Sequence, residues 1–230
     1  MQSPAAGASP SPAPGTAAFT FPREYYFPPF FTWQTNLTTH HAQLTKWAAL
    51  VLAYCRHHRI FRLALSTGMS ASAPMTAGGG GDSSHADGGG GAGELFHNRQ
   101  IGRRIGLADA REVVDFLRKD GRAEYVGGAG DDGEGFGGGN SSGVGGGGDV
   151  AWIYWRTPEE WAALVEAWVD ETGQKGSVLT LYELTEGDAT RGTEFHGLDP
   201  ELLQKALHVL VKRAKAQIFG HEDSQGVKFF

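Results

Sequence analysis

Apolar residues recur at the spacing of a buried helix face in the first half of the chain. The pattern predicts a helix that begins after Thr38 or Thr39, with an apolar face made of Leu44, Trp47, Val51, Tyr54, Cys55 and His58. A short helical piece is expected between residues 94 and 105. Cys55 has no base to pair with it, so it is interpreted as a core residue rather than a nucleophile.

Helix-capping signals mark the beginnings of two longer helices. Asp109 is a good N-cap, Glu112 is placed to complete a capping box, and Gly121 is placed to end that helix. The run Thr-Pro-Glu-Glu at 157–160 is the sharpest local signal, because it combines an N-cap threonine, a first-turn proline and a capping-box glutamate. The apolar residues that follow form one helix face: Trp161, Leu164, Val165, Trp168 and Val169.

Two further helices are predicted towards the C-terminus. Ser177 would cap a short helix that ends at Gly187. Asp199, followed by a proline, would open the last helix, and Leu198 and Leu203 are placed to form a hydrophobic staple across its first turn. The apolar face of this helix comprises Leu203, Ala206, Leu207, Leu210 and Val211.

Runs of β-prone residues follow each set of helices. Two predicted strands, 123–126 and 150–155, flank a glycine-rich tract, and two more, 216–219 and 227–230, flank a short turn. The order of helix, short helix, helix and β-hairpin therefore occurs twice. Three helices closed by a hairpin are the winged-helix arrangement, so the predicted fold class is α+β, mainly helical, with two tandem winged-helix domains.

An aromatic and proline-rich arm, residues 19–37, precedes the first helix. Proline fixes φ and removes a backbone donor, so the run Phe-Pro-Pro-Phe-Phe at 27–31 is expected to be stiff and extended. Docking into a groove on a partner is the preferred hypothesis, and packing on its own domain is the alternative. The candidate anchors are Tyr26, Phe27, Pro28, Pro29, Phe30 and Phe31. On this hypothesis, alanine at Phe30 and Phe31 abolishes partner binding and leaves the chain folded.

The chain has 230 residues with 35 glycines, one cysteine and a net charge of -6. Residues 1–18 are expected to be disordered, and the low-complexity tracts 66–93 and 127–149 are expected to be flexible insertions. The two domains are therefore expected at 38–155 and 156–230. The N-terminus does not match a signal peptide, no segment reaches the ~20 apolar residues of a membrane span, and a single cysteine suits a reducing compartment.

Evidence for catalytic or nucleic-acid-binding chemistry is weak. In both predicted third helices acidic residues offset the basic ones, whereas a DNA-binding face needs a basic stripe. A nucleic-acid-binding or transcription-regulatory winged helix is nevertheless the alternative function. The histidine pairs at 40–41 and 57–58 would point apart, so no metal site is expected. Glu194 and His196 are interpreted as loop or interface residues, and neither an enzyme activity nor a cofactor is expected.

Five stretches of the chain together resemble one family. They are YYFPPFFTWQ, RTPEEWAALVEAWV, SVLTLYELTEGD, EFHGLD and GVKFF, and they occur in the order found in that family. In these stretches the chain is similar to the vacuolar protein-sorting-associated protein 25 family, the small two-copy subunits of the ESCRT-II complex. The glycine-rich tracts are longer than expected of the family, but they fall at a terminus and in predicted loops, so the expected fold is unaffected.

The resemblance implies a cytoplasmic scaffold that is recruited peripherally to the endosomal membrane through its complex. It would link the larger ESCRT-II subunits to ESCRT-III in the sorting of ubiquitinated cargo into multivesicular bodies for vacuolar or lysosomal degradation. Two larger subunits would bind the arm, and an ESCRT-III subunit would bind the second domain, which is expected to fold and bind on its own. The candidate ESCRT-III contact is the start of the short helix predicted after Ser177: Val178, Leu179, Thr180 and Leu181. No nucleic acid is expected as a partner.

Overall fold

The structure is a computed structural model that describes residues 18–66, 92–127, 149–220 and 225–230. The predictions of disorder or flexibility at the N-terminus and in the two glycine-rich tracts fall almost entirely outside these ranges. The described helices are α1 (Leu37–His58), α2 (Ala92–Leu95), α3 (Leu107–Lys119), α4 (Pro158–Thr172), α5 (Leu181–Glu186) and α6 (Pro200–Lys212), with 3₁₀ helices at Arg23–Tyr26, Pro28–Phe31 and Asp188–Thr190. The described strands are β1 (Arg62–Ala64), β2 (His97–Asn98), β3 (Arg103–Arg104), β4 (Ala123–Tyr125), β5 (Val150–Ile153), β6 (Val178–Thr180), β7 (Ala216–Phe219) and β8 (Gly226–Phe229).

Each half of the chain contains a three-stranded antiparallel sheet. In the first half the strand order is β1-β5-β4, and in the second it is β6-β8-β7. The hairpins β4-β5 and β7-β8 are the predicted wings. Each sheet gains a short third strand, β1 or β6, that follows the first helix of its domain. The two tandem winged-helix units predicted from the sequence are confirmed.

The first core lies between α1, α3 and the first sheet. The predicted face of α1 is buried, with Trp47, Val51 and Cys55 fully enclosed, so the interpretation of Cys55 as a core residue is confirmed. Burial raises the pKa of the Cys55 thiol. His58 is the exception, because it lies exposed in the last turn and contacts the ring of Tyr54 at a centroid distance of 4.3 Å.

The helical piece expected between residues 94 and 105 is wrong beyond Leu95. A short hairpin, β2-β3, takes its place. The side chain of Asn98 accepts hydrogen bonds from the backbone N–H groups of Gln100 and Ile101 at 3.0 and 3.2 Å. Such local side-chain bonds offer the backbone an alternative to the helix, which explains the turn.

Helix α3 begins earlier than predicted. Its N-cap is Gly106, and Asp109 lies in the first turn, where it accepts a hydrogen bond from the Gly106 N–H at 3.2 Å. Asp109 therefore takes the capping-box role predicted for Glu112, which instead lies 3.2 Å from His40 of α1. Gly121 follows the helix with a left-handed φ of 68°, as predicted.

The caps of the two long helices in the second domain are confirmed. The Glu160 N–H donates to the Thr157 hydroxyl at 3.3 Å, and the Glu160 carboxylate accepts from the Thr157 N–H at 2.8 Å. Asp199 accepts from the first-turn N–H groups of α6. Leu198 and Leu203 are both buried in the second core, in agreement with the predicted staple.

The helix predicted to begin at Ser177 is wrong in its first turn. Residues 178–180 form strand β6, which pairs with β8, and the helix begins only at Leu181. Its N-cap is Thr180, whose hydroxyl accepts from the Glu183 N–H at 3.1 Å, and it ends at Gly187 as predicted. The pairing with a strand more than 40 residues away decides the conformation, and no local pattern reports it.

Candidate functional site

The arm does not extend away from the domain but folds back onto α1. The extended conformation expected for the proline-rich run is wrong, because this part of the arm forms two consecutive 3₁₀ helices, Arg23–Tyr26 and Pro28–Phe31. Proline suits this geometry, since Pro28 stands at the first position of its helix, where no backbone donor is needed. The arm therefore presents some side chains to α1 and others to solvent.

Phe30 and Phe31 form the inward set of the arm. Each is only 6% exposed. The Phe30 ring stacks on Trp47 with a centroid distance of 4.5 Å, and Phe31 meets the same tryptophan edge-on at 5.4 Å. The Phe30 carbonyl accepts hydrogen bonds from Gln43 Nε2 at 2.7 Å and from Trp47 Nε1 at 3.0 Å. For these two residues, the alternative interpretation of packing on the chain's own domain holds.

Tyr26, Phe27, Pro28 and Pro29 form the outward set of the arm. Tyr26 is 45% exposed and Phe27 is 60% exposed, and both prolines are also exposed. Four consecutive apolar or aromatic residues thus lie at the surface of the first domain. Exposed apolar clusters of this kind mark interaction sites more often than isolated exposed side chains do.

Grooves adjoin the outward set along the outer side of α1. One, of about 420 Å³, is lined in part by Phe27 and Pro29, and a second, of about 350 Å³, is lined in part by Phe19. Lys46 and Glu24 line both grooves and form an ion pair at 3.0 Å. The surface around the arm is therefore concave and largely apolar, with one charged pair at its centre.

An arginine lies on the other side of the two prolines. Pro28 and Pro29 line a depression of about 360 Å³ together with Arg103 of the β2-β3 hairpin. Arg103 is exposed and has no ion-pair partner within the described ranges. It supplies a free positive charge beside the outward set.

Two polar side chains that the sequence did not single out hold the arm in place. Gln43 donates from α1 to the arm backbone, as described above, and Asn98 Nδ2 donates to the Tyr25 carbonyl at 2.7 Å. The Tyr25 hydroxyl donates to the Glu94 carbonyl, and burial raises the pKa of Tyr25. The only signal for such a contact in the sequence is the position of Gln43, directly before Leu44 of the predicted apolar face.

The candidate ESCRT-III residues do not share one face. Val178 is 57% exposed and Thr180 is exposed, whereas Leu179 and Leu181 turn inward and pack against the second core. This follows from strand geometry, in which successive side chains point to opposite sides. Tyr182, at 72% exposed, extends the outward surface into α5.

The outer side of β6 is continuous with an apolar patch on the second sheet. Pairing places Thr180 opposite Gly226, and Gly226 opposite Phe219 on β7. A Cβ added at Gly226 would lie 3.2 Å from Val178 Cγ1 and 3.7 Å from Phe219 Cδ2, so glycine leaves a shallow space between these side chains. Among the described strands β6 pairs only with β8, so it is an edge of its sheet.

Glu194, interpreted from the sequence as a loop or interface residue, lies in a loop where the two domains meet. Its carboxylate accepts from Arg156 at 2.6 Å and from Arg56 of α1 at 3.4 Å. Arg59, which follows α1, donates to the backbone carbonyls of Glu194 and His196 at 3.4 and 2.6 Å. The hydrogen bond from Arg156 and the nearby arginine charges hold the pKa of Glu194 below its usual range.

The described parts of the chain contain neither a metal-binding cluster nor a membrane-spanning helix. No cluster of three or more His, Cys, Asp or Glu side chains there is arranged to hold a metal ion. No described helix combines the length and the apolar character needed to cross a membrane.

Comparison with known proteins identifies the family. A family model described as "ESCRT-II complex subunit" matches residues 24–199. Vacuolar protein-sorting-associated protein 25 of Xenopus laevis is 35% identical over 212 residues, covering 92% of this chain and 99% of that protein. The Homo sapiens protein of the same name is 36% identical over 213 residues, covering 93% and 98%.

Solved structures show the same fold. The crystal structure of subunit VPS25 of the endosomal trafficking complex ESCRT-II matches with a TM-score of 0.67 at 24% identity, covering 91% of this chain and 98% of that one. A structure of the ESCRT-II endosomal trafficking complex matches with a TM-score of 0.65 at 26% identity, covering 90% and 98%. With tandem winged-helix units, an N-terminal aromatic arm and these matches over nine-tenths of its length, the chain belongs to the ESCRT-II complex subunit family, in the vacuolar protein-sorting-associated protein 25 branch.

Proposed function

We propose that the chain is a scaffold subunit that joins the larger subunits of ESCRT-II to ESCRT-III during the sorting of ubiquitinated cargo into multivesicular bodies. A related solved complex contains VPS22, VPS25 and VPS36, which supports two larger subunits as partners. The observation that carries the proposal is the outward set of the arm, four exposed apolar residues beside apolar grooves. The comparisons give no support to the alternative of nucleic-acid binding.

The arm is proposed to bind the larger subunits through its outward set. Tyr26, Pro28 and Pro29 lie in the two 3₁₀ helices and Phe27 is the extended residue that joins them, so little backbone entropy is left to lose on binding. Phe30 and Phe31, also candidate anchors from the sequence, support the contact from beneath by fixing the arm on Trp47. Arg103 is placed to meet a carboxylate of the partner at the rim.

Alanine at Phe27 and Pro29 tests the arm contact. Buried aromatic anchors typically cost 2 kcal/mol or more when truncated, so the double variant should bind the larger subunits at least about 30-fold more weakly. Calorimetric titration against a co-expressed pair of the larger subunits measures this. Leu37→Ala is the matched control, because Leu37 is 83% exposed and lies just outside the outward set. Unchanged affinity in the double variant would place the contact elsewhere.

An ESCRT-III subunit is proposed to bind the outward surface of the second domain. The exposed apolar side chains there are those of Val178 and Tyr182, with Thr180 between them. An amphipathic helix of the partner fits such a surface through its apolar stripe. Leu179 and Leu181 support it from the core side, and substitutions at these two positions test stability rather than contact.

Val178→Asp is expected to weaken this binding by about tenfold or more while the melting temperature stays close to that of the wild type. A charge on an exposed strand residue costs little in the free chain, but it is desolvated when an apolar partner covers it. Binding of an ESCRT-III N-terminal helix, followed by fluorescence anisotropy, measures the effect. Leu179→Asp is the contrasting variant, because it places the charge in the core and should lower the melting temperature. Full-strength binding by Val178→Asp would rule out this surface.

We also propose that the chain is a non-enzymatic protein without a cofactor, because a solved structure that it resembles is a subunit of an endosomal trafficking complex. We further propose that it is cytoplasmic and reaches the endosomal membrane only through its complex.

A further inference from the structure

Strand β5 belongs to two hydrophobic cores at once. Ala151 and Ile153 are buried in the first core, whereas Trp152 and Tyr154, which directly follows the strand, are buried in the second. A strand buried on both faces needs a continuous apolar run, which accounts for the sequence VAWIYW. The domain boundary expected before residue 156 therefore leaves two large side chains of the second core within the first domain.

Charged side chains from both domains enclose Trp152. The guanidinium of Arg62, on β1, lies 4.4 Å from the ring centroid, and the ammonium of Lys205, on α6, lies 5.3 Å away. Arg62 also forms ion pairs with Asp199 at 3.2 Å and with Glu201 at 2.8 Å. The Trp152 ring is almost fully buried, whereas the two cations each stay about one third exposed, so the contacts combine a shielded ring with cations at its rim.

Two more charged contacts join the domains beside this tryptophan. Arg122, before β4, donates to both carboxylate oxygens of Glu160 on α4 at 2.8 and 3.1 Å. Lys205 donates to Glu124 of β4 at 2.6 Å and to the Tyr154 hydroxyl at 3.0 Å. Bidentate arginine–carboxylate pairs fix orientation as well as distance. Together with the arginines around Glu194, these contacts leave little freedom for one domain to rotate on the other.

We infer that the two winged-helix domains form one cooperative and rigid unit, with Trp152 as the positioning residue that couples them. The arm and the outward surface of the second domain are then held at a fixed separation. That consequence rests on the proposed function, whereas the cooperativity of the two domains does not. The second domain, 156–230, is accordingly expected to need β5 for its stability.

Trp152→Ala in the full chain tests the coupling, because the side chain lies in the second core alone. Amide hydrogen exchange, followed by NMR, reports the opening of each helix separately. In the wild type the most protected amides of α1, α3, α4 and α6 should share one opening equilibrium. In the variant their exchange rates should rise by a common factor, about a hundredfold or more. Complete unfolding of both domains would equally support coupling, whereas loss of protection confined to α4 and α6 would overturn it.

A distance measurement on the wild type tests rigidity directly. Spin labels on cysteines introduced at the exposed positions Lys119 and Glu171 span the two domains, and Cys55, the only native cysteine, is fully buried and should not be labelled. Pulsed electron paramagnetic resonance should give one narrow distance distribution. A broad one would overturn the inference even if the arm binds its partners normally. Partner affinity measured on the same protein reports on the proposed function independently.

Discussion

Alanine at both Phe30 and Phe31 is expected to lower the free energy of unfolding by about 6 kcal/mol or more. Both rings are buried, and together they cover two sides of Trp47. Truncating a buried phenylalanine typically costs 3–5 kcal/mol, and total domain stabilities are about 5–15 kcal/mol. Urea denaturation followed by circular dichroism should therefore show a protein that is largely unfolded or unfolds at very low denaturant.

This result would replace the sequence-based expectation that the same variant stays folded. Phe27→Ala is the matched control, since Phe27 lies in the same arm but is 60% exposed. The Phe27→Ala substitution should lower the free energy of unfolding by less than about 1 kcal/mol. If the double alanine variant instead unfolds at the wild-type urea concentration, the inward set contributes nothing to the first core, and the packing of the arm on Trp47 is not what holds it.

Phe195→Ala is expected to lower the free energy of unfolding by about 3–5 kcal/mol, although Phe195 lies in a loop. The side chain is fully buried in the second core and meets Trp168 edge-on at a centroid distance of 5.8 Å. The loop around it is further fixed by the Gly197 N–H, which donates to the Thr185 carbonyl at 2.7 Å. Thermal and urea unfolding of the full chain measure the loss.

Tyr182→Ala provides the comparison for Phe195. Tyr182 is also aromatic and in the second domain, but it is largely exposed, so its removal should change stability by no more than about 0.5 kcal/mol. Equal stability losses in the two variants would mean that the loop is not anchored through its phenylalanine.

Signals carried by neighbouring residues were the part of the fold that the sequence predicted well. Thr157, Glu160 and Asp199 cap their helices as expected, because a capping box involves residues only three positions apart. The helical spacing of Trp47, Val51 and Cys55 likewise identified the buried face of α1. These interactions form within one turn, so a local pattern can show them, although the N-cap of α3 was placed three residues too late.

Features that depend on distant partners were missed or misassigned. Strand β6 has residues that suit a helix as well as a strand, and only its pairing with β8 decides between the two. The sequence analysis treated the six arm residues as one set of partner anchors, because nothing local shows that Trp47 packs against Phe30 and Phe31 while Phe27 stays exposed. The continuous apolar run of β5 is consistent with burial on both faces. The two cores that bury those faces are assembled from both halves of the chain, so the run alone does not reveal them.

Strand β5 is also a position where the insertion of a single residue is poorly tolerated. Because each face of the strand serves a different core, one extra residue between Trp152 and Ile153 would reverse the side chains that precede it in the strand. Trp152 would then take the place of Ala151 in the first core, and the inserted residue would take the place of Trp152 in the second. A single in-frame codon insertion at this point therefore damages both domains, whereas a conservative codon change affects only one.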